Sequence, residues 1–173
     1  MRYTLLVAAL AATVATPALA QQAPVASDTA QAYAKGVVLQ NHELLWDKDL
    51  DFGVVTVDNQ GGTVSISADA LGTRTTTLGA TALSGTYQAA TFLGKAAPNE
   101  TVQLTITPPN NNTVKDVAGN SIPVVLTVDA AGLTRQASAT GQFTVYVGGT
   151  FTLAPNQAAG VYSEVFYVKA DYQ

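Results

Sequence analysis

The single histidine of the chain, His42, is the first residue to consider as a catalytic group. A Ser-His-Asp triad would have to use it, but it lies in the polar segment 40–43, and no G-x-S-x-G nucleophile elbow occurs. The chain has no cysteine, which excludes a cysteine nucleophile and a zinc–cysteine site, and one histidine excludes a multi-histidine metal site. We therefore expect His42 to be an exposed turn residue and the protein to be no enzyme.

The most acidic segment of the chain has carboxylates at alternate positions, namely Asp47, Asp49 and Asp51. An EF-hand loop needs glycine at its sixth position and glutamate at its twelfth, where this segment has Phe52 and Asp58. A calcium loop of another type stays open, and so does a glycan site in which Trp46 stacks on a sugar beside these carboxylates. The simpler interpretation is a strand entry at which Asp51 turns the backbone, with no metal and no cofactor.

Paired carboxylates could also hydrolyse a glycosidic bond, because only their separation in space matters. The chain has three glutamates, Glu43, Glu100 and Glu164, and none lies beside a conspicuous aromatic cluster in the sequence. Lys plus Arg number 8 against 12 Asp plus Glu, which gives a net charge of −4 and a pI of about 4.6. No basic patch is available to neutralise phosphates, so we expect no nucleic acid partner.

The first twenty residues have the pattern of a secretory signal peptide. Arg2 precedes the apolar stretch 5–14, and Ala18-Leu19-Ala20 matches an A-x-A cleavage site, so we predict cleavage after Ala20. No later segment approaches the roughly 20 apolar residues that a membrane span needs. The expected location is the periplasm or the cell surface, and no membrane span is expected in the exported chain.

The exported part divides into an arm and a domain. Residues 21–35 are rich in Ala, Gln and Ser and predict a mobile N-terminal arm. From Gly36 to Gln173, short apolar runs alternate with turn residues at about ten-residue spacing, which is typical of an all-β protein. Strict alternation marks three of the runs, those of Val64, Ile66 and Ala68, of Val102, Leu104 and Ile106, and of Ile122, Val124, Leu126 and Val128. The pattern predicts an immunoglobulin-like two-sheet sandwich of seven or eight strands over residues 36–173.

Glycines and turn residues refine this prediction at three places. Asn59–Gly62 has the composition of a turn between strands. The alternation from Phe143 to Leu153 passes through Gly148-Gly149 without a phase slip, so we expect the pair to bend one long strand, with a hairpin as the alternative. A final strand is predicted over Gly160–Tyr172.

Four segments resemble one family of exported bacterial domains. They are Leu50-Asp51-Phe52-Gly53, Gly61-Gly62-Thr63-Val64, Val147-Gly148-Gly149-Thr150 and Asn156-Gln157-Ala158-Ala159-Gly160-Val161-Tyr162. In this order, behind a signal peptide, they are similar to domain-of-unknown-function family 4402 over nearly the whole exported chain. That resemblance supports the fold and implies no activity.

The C-terminus is also similar to that of chaperone-usher pilus subunits. Gly160 is fourteenth from the last residue, alternation follows it, and Tyr172 is penultimate. In such pilins the final strand borders a groove that is filled first by a periplasmic chaperone and then by the N-terminal arm of the next subunit. The resemblance implies an interface formed by Gly160, Tyr162, Phe166, Val168 and Tyr172.

Two features depart from the pilin pattern. Glu164 interrupts the apolar face, and the chain cannot form the disulfide that many pilins have. The arm is also a weak donor strand, because its alanines would bury little area in a neighbouring subunit. We predict a non-catalytic, exported structural or adhesive surface component. Two forms of it stay open: a subunit assembled by strand exchange with identical or related subunits, and a complete sandwich in which the final strand is simply the last one. The alternative is a periplasmic glycan- or calcium-binding module.

Overall fold

The structure is a computed structural model that describes residues 32–173. It is all-β, as predicted, with one three-residue 3-10 turn at Asn110–Asn112. The ten strands are β1 (Glu43–Lys48), β2 (Val55–Ile66), β3 (Arg74–Ala82), β4 (Ala90–Lys95), β5 (Thr101–Thr107), β6 (Thr113–Lys115), β7 (Ser121–Val128), β8 (Thr134–Gln136), β9 (Gln142–Leu153) and β10 (Tyr167–Tyr172). Eight of them have six or more residues, which is the upper of the two predicted counts, and β6 and β8 have three each.

The strands form two antiparallel sheets, which confirms the predicted two-sheet sandwich. The larger sheet has the order β1-β4-β9-β2-β3. Strand β7 also pairs with β9, on the edge opposite β2, and β6 pairs with β7. The smaller sheet has the order β10-β5-β8. The predicted signal peptide and most of the predicted arm lie outside the described residues, and the described residues before β1 form no strand. All ten strands lie within a compact unit that spans residues 38–173.

Strand β9 pairs with three other strands of the larger sheet, β4, β2 and β7. Its first half pairs with β4, and its second half lies between β2 and β7. The predicted passage of one strand through Gly148-Gly149 is therefore confirmed. Position 148 has no room for a side chain, because a Cβ atom there would lie 2.3 Å from the carbonyl oxygen of Ile66.

We expect Gly148→Ala to lower the free energy of unfolding by about 1–3 kcal/mol, since the new methyl group must push apart two paired backbones. Urea denaturation would measure the difference. Gln142→Ala, an exposed change at the start of the same strand, serves as the control and should stay within about 0.5 kcal/mol. Equal stability of the two variants would contradict the crowding at Gly148.

Each half of β9 packs into its own hydrophobic core. The first core lies between the two sheets and consists of Ala90, Ala96, Val102, Leu104, Ala137, Phe143, Val145, Val147 and Ala170. The second core lies on the β2–β7 side and consists of Phe52, Val64, Ile66, Ala80, Ala89, Val114, Ile122, Val124 and Leu153. Leu50 and Leu126 contact both cores. The apolar residues predicted from alternation in β2, β5 and β7 all pack in or against one of them.

The predicted turn at Asn59–Gly62 is instead a bulge within β2. Val57 pairs with Ala80 and Gly62 with Leu78, so β2 has the extra residues while its pairing with β3 continues on both sides. Gly61 has a φ of 72°, and the Asp58 carboxylate accepts the Gln60 amide at 2.8 Å. The turn-forming residues are thus used to loop out part of one strand rather than to end it.

The predicted final strand, Gly160–Tyr172, is only half formed. Strand β10 begins at Tyr167, which pairs with Thr107 of β5. Pro108 and Pro109 directly follow the end of β5. Proline has no amide hydrogen to donate to a neighbouring strand, so β5 cannot extend to pair with residues before 167. Residues 160–166 are irregular except for one bridge, between Ser163 and Lys115.

Candidate functional site

An open cleft of about 890 Å³ lies between β1 and the C-terminal segment 162–168, and we call it the groove. One wall includes Leu44 and Trp46 of β1. The other wall is the backbone and side chains of residues 162–168. Side chains from both cores form the interior of the groove, among them Phe92, Val124, Leu126 and Phe151. The groove therefore gives access to apolar side chains of the sandwich interior.

One wall is the edge strand β1, and the other is the irregular segment 162–166 together with the start of the edge strand β10. Within residues 32–173, β1 pairs with no strand but β4, and β10 with none but β5. The ring of His42, just before β1, meets the ring of Tyr172 at the end of β10, with centroids 5.3 Å apart. Since β1 starts where β10 ends, the two edges run in opposite directions along the groove. The second edge of β1 pairs with no other described strand, whereas the opposite wall makes one bridge, between Ser163 and Lys115 of β6.

Three residues of the segment Leu50–Gly53 line the groove, namely Leu50, Asp51 and Phe52. The ring of Phe52 stacks on that of Phe151, with centroids 3.7 Å apart. The Asp51 carboxylate accepts the amide hydrogen of Gly53 at 2.7 Å, which is the backbone-turning role expected for Asp51. Gly53 has a φ of 70°, in the region that favours glycine.

Arg74 holds this segment in place from the neighbouring strand β3. Its guanidinium donates hydrogen bonds to the carbonyl oxygens of Phe52 and Val54, at 3.1 and 3.3 Å. The same guanidinium lies over the ring of Tyr87, 4.5 Å from the centroid. Tyr87 is thus paired with an arginine and does not line the groove.

Three of the five predicted interface residues line the groove, namely Tyr162, Phe166 and Val168. Tyr162 packs against the second core, and its hydroxyl donates to the carbonyl oxygen of Ala158 at 2.7 Å. Phe166 packs edge-on to Phe92, with centroids 6.1 Å apart. Ser163, Val165 and Tyr167 of the other alternating set line the groove as well, so the segment does not direct a single face into it.

The other two predicted residues do not line the groove. The Tyr172 hydroxyl accepts the Ala97 amide at 2.8 Å and donates to the carbonyl oxygen of Gln40 at 2.6 Å, so it fastens the end of β10. Gly160 lies against Asp116, where a Cβ atom would be 2.9 Å from a carboxylate oxygen. A hydrogen bond from the Asn120 side chain holds the pKa of Asp116 below its ordinary value.

Sequence reasoning missed most of the β1 wall and the interior. Trp46 was considered only as a sugar-stacking residue, yet it lines the groove and its side chain is 65% exposed. Its indole Nε1 donates to the Asp49 carboxylate at 3.1 Å. The alternation of Leu44, Trp46 and Lys48 in β1 was the available signal, because all three line the groove.

The charged residues of the groove have local roles. Lys48, Asp49, Asp51 and Glu164 line it, and one oxygen of Glu164 accepts the Val165 amide at 3.3 Å. Within residues 32–173, no three acidic or histidine side chains lie close enough to hold one metal ion, and this includes Asp47, Asp49 and Asp51. His42 is exposed beside Tyr172. The glycan-binding alternative stays a prediction.

No helix in the described part of the chain has the length and apolar character needed to cross a bilayer. The sequence model of a family described as Domain of unknown function (DUF4402) matches residues 44–172. That range begins in β1 and ends at Tyr172, so it contains both walls of the groove. A search of curated proteins found no match.

Proposed function

The chain belongs to the domain-of-unknown-function family DUF4402, and we propose a function for it from the groove, since the family's description names no activity. The protein is a non-catalytic structural or adhesive component outside the cell. It is joined to another chain by a β-strand bound in the groove. The observation that carries the proposal is a groove with an apolar interior, bordered by the edge strand β1 and by the segment 162–166 that leads into the edge strand β10. An added strand supplies backbone hydrogen bonds to an edge and side chains to the pockets beside it.

The dimensions of the groove suit one strand. The β1 wall has six residues, which span roughly 20 Å at about 3.3 Å per residue. Strands of globular proteins most often have about five or six residues. Alternate side chains of an added strand would face Phe92, Leu126 and Phe151, while the others would face solvent.

The irregular segment 160–166 also supports the proposal. Val161 and Val165 are exposed there, and the sequence alternates as a strand does. Pro108 and Pro109 deny this segment a partner on the β5 side. A strand in the groove would offer a partner on the other side, so the strand predicted over Gly160–Tyr172 would form when the groove is filled.

A linked strand provides the test. We fuse a strand of about eight alternating Ile and Thr residues after Gln173 through a flexible linker. Linking gives an effective concentration in the millimolar range, and at about 100 times Kd it stabilises the fold by about 2.7 kcal/mol. Thermal unfolding should shift upward by about 5–10 °C. The control has proline in place of a central isoleucine, and equal melting temperatures for the two fusions would refute the proposal.

Export is the other part of the proposal. Expression in a bacterium with intact secretion should release a protein whose intact mass corresponds to residues 21–173, because cleavage is expected after Ala20. Arg2→Glu reverses the charge of the signal's basic start and should leave more uncleaved chain in the cytoplasm. A secreted or cytoplasmic product that keeps Met1–Ala20 would contradict this part.

A further inference from the structure

We propose that the strand that fills the groove comes from a different protein, with bulky apolar side chains at alternate positions, and not from the N-terminal arm of a second copy. This inference rests on the proposed function of the groove. It follows from comparing what the groove would bury with what the arm can supply.

The groove needs large side chains. Its volume is about 890 Å³, and Phe92, Leu126 and Phe151 line it. Trp46, at 65% exposure on one wall, gains burial only from an occupant that reaches it. Close packing of such a cleft requires several bulky groups, because unfilled space forfeits contacts along the whole lining.

The arm, residues 21–35, cannot supply them on either alternating set. One set is Gln22, Pro24, Ala26, Asp28, Ala30, Ala32 and Ala34, and the other is Gln21, Ala23, Val25, Ser27, Thr29, Gln31, Tyr33 and Lys35. The first set consists of four alanines with Gln22, Pro24 and Asp28, so it has no large apolar side chain. The second set separates its two larger apolar side chains by three polar ones.

Charge points the same way. The groove is lined by one basic side chain, Lys48, and three acidic ones, Asp49, Asp51 and Glu164. Asp28 of the arm would bring a further carboxylate to this surface if the alanine set faced inward. A partner strand with lysine or arginine near its ends would be complementary to the acidic lining.

The expected difference in affinity between a strand with bulky apolar side chains and the arm of a second copy is large enough to decide which of them binds. Each buried methylene is worth about fourfold in binding. Association also costs free energy because the two molecules lose translational and rotational freedom. Burial of a strand of alanines offsets little of that cost. A second copy's arm is therefore too weak to hold two subunits together, whereas a strand with isoleucine, leucine or phenylalanine at alternate positions is not.

Trp46 is the only tryptophan, so its fluorescence reports directly on the groove. The exported chain, residues 21–173, is titrated with three synthetic peptides. The first has the arm sequence, and the second has Ala26→Ile, Ala30→Ile and Ala32→Ile. The third is the matched control with Ala26→Ile, Thr29→Ile and Ala32→Ile, which has as many isoleucines but breaks their alternation. None contains tryptophan.

We expect the second peptide to shift the Trp46 emission to the blue and to bind at least about 100-fold tighter than the arm peptide and about tenfold tighter than the control. Arm binding within about threefold of the second peptide would overturn the inference and make a second copy the partner. Equal binding of the second and third peptides would overturn it as well, since alternation would then be irrelevant. If no peptide binds and the linked strand does not stabilise the fold, the proposed function itself fails.

Deletion of residues 21–35 gives an independent readout that needs no peptide. The deleted chain keeps all ten strands, so its fold should persist. We expect its sedimentation profile to match that of the chain from Gln21, because the arm does not hold copies together. Self-association of the longer chain that disappears on deletion would overturn the inference.

Discussion

Replacement of Arg135 by alanine is expected to lower the free energy of unfolding by about 3–5 kcal/mol. The guanidinium of Arg135 is paired with the Asp129 carboxylate at 2.6 Å, and the two side chains are only 6% and 14% exposed. Arg135 also donates to the carbonyl oxygens of Gly132, Thr134 and Thr144. Its removal would leave a mostly buried carboxylate without its counter-charge and three carbonyl oxygens without this donor.

The exposed ion pair Lys169–Asp171 gives a matched control within the same molecule. Its nitrogen and oxygen are 2.9 Å apart, but the side chains are 71% and 45% exposed. Solvent screens such a pair, so Lys169→Ala should cost no more than about 1 kcal/mol. Chemical denaturation of both variants measures the contrast. Similar losses for the two would contradict a special role for the Arg135–Asp129 pair.

A similarly large loss, about 3–5 kcal/mol, is expected for Phe52→Ala. The Phe52 side chain is 6% exposed, lines the groove and stacks on Phe151 in the second core. Its removal leaves a cavity between Phe151 and the Leu50–Gly53 segment that Arg74 and Asp51 hold in position. The surrounding backbone can close only part of that space.

Val54→Ala tests whether the effect belongs to the stacked ring rather than to the segment. Val54 is two residues from Phe52 and 56% exposed, so its truncation should change stability by no more than about 0.5 kcal/mol. Thermal and urea unfolding should agree on the order. A loss for Phe52→Ala of under about 1 kcal/mol would show that the ring is not part of the packed core.

The sheets were predictable wherever a strand has one buried and one exposed face. The alternation in β5 and β7 predicted the buried residues Val102, Leu104, Ile122 and Val124 because a period of two survives over seven or eight residues. Strands β6 and β8 have three residues each, too few for a period. The bulge in β2 was missed because its residues have the same turn chemistry as a hairpin.

The groove was only partly predictable. Alternation after Gly160 indicates Tyr162, Phe166 and Val168, and all three line the groove, but so do the intervening residues of the opposite face. The opposite wall, with Trp46, comes from a strand over one hundred residues earlier in the chain. Pairing order decides which strands become neighbours, and local pattern does not contain that order.

The early start predicted for the last strand shows how a local pattern can be correct and a boundary wrong. The segment 160–166 has strand-like alternation, but a strand needs a partner. Pro108 and Pro109 remove that partner on one side. Among the described strands, β6 pairs with this segment at one residue, through the bridge between Lys115 and Ser163, whereas a chain that enters the groove would provide a partner along the whole segment.

Hydrogen exchange in the strand-linked protein tests the central claim most directly, because it reports on the backbone of both walls. The amides of residues 160–168 and of β1 are compared between the isoleucine–threonine fusion and its proline control. The account predicts that amides in both walls exchange at least about tenfold more slowly in the isoleucine–threonine fusion, since an added strand gives them acceptors. Unchanged exchange in both walls, or protection confined to other strands, would contradict the proposal that the groove binds a β-strand.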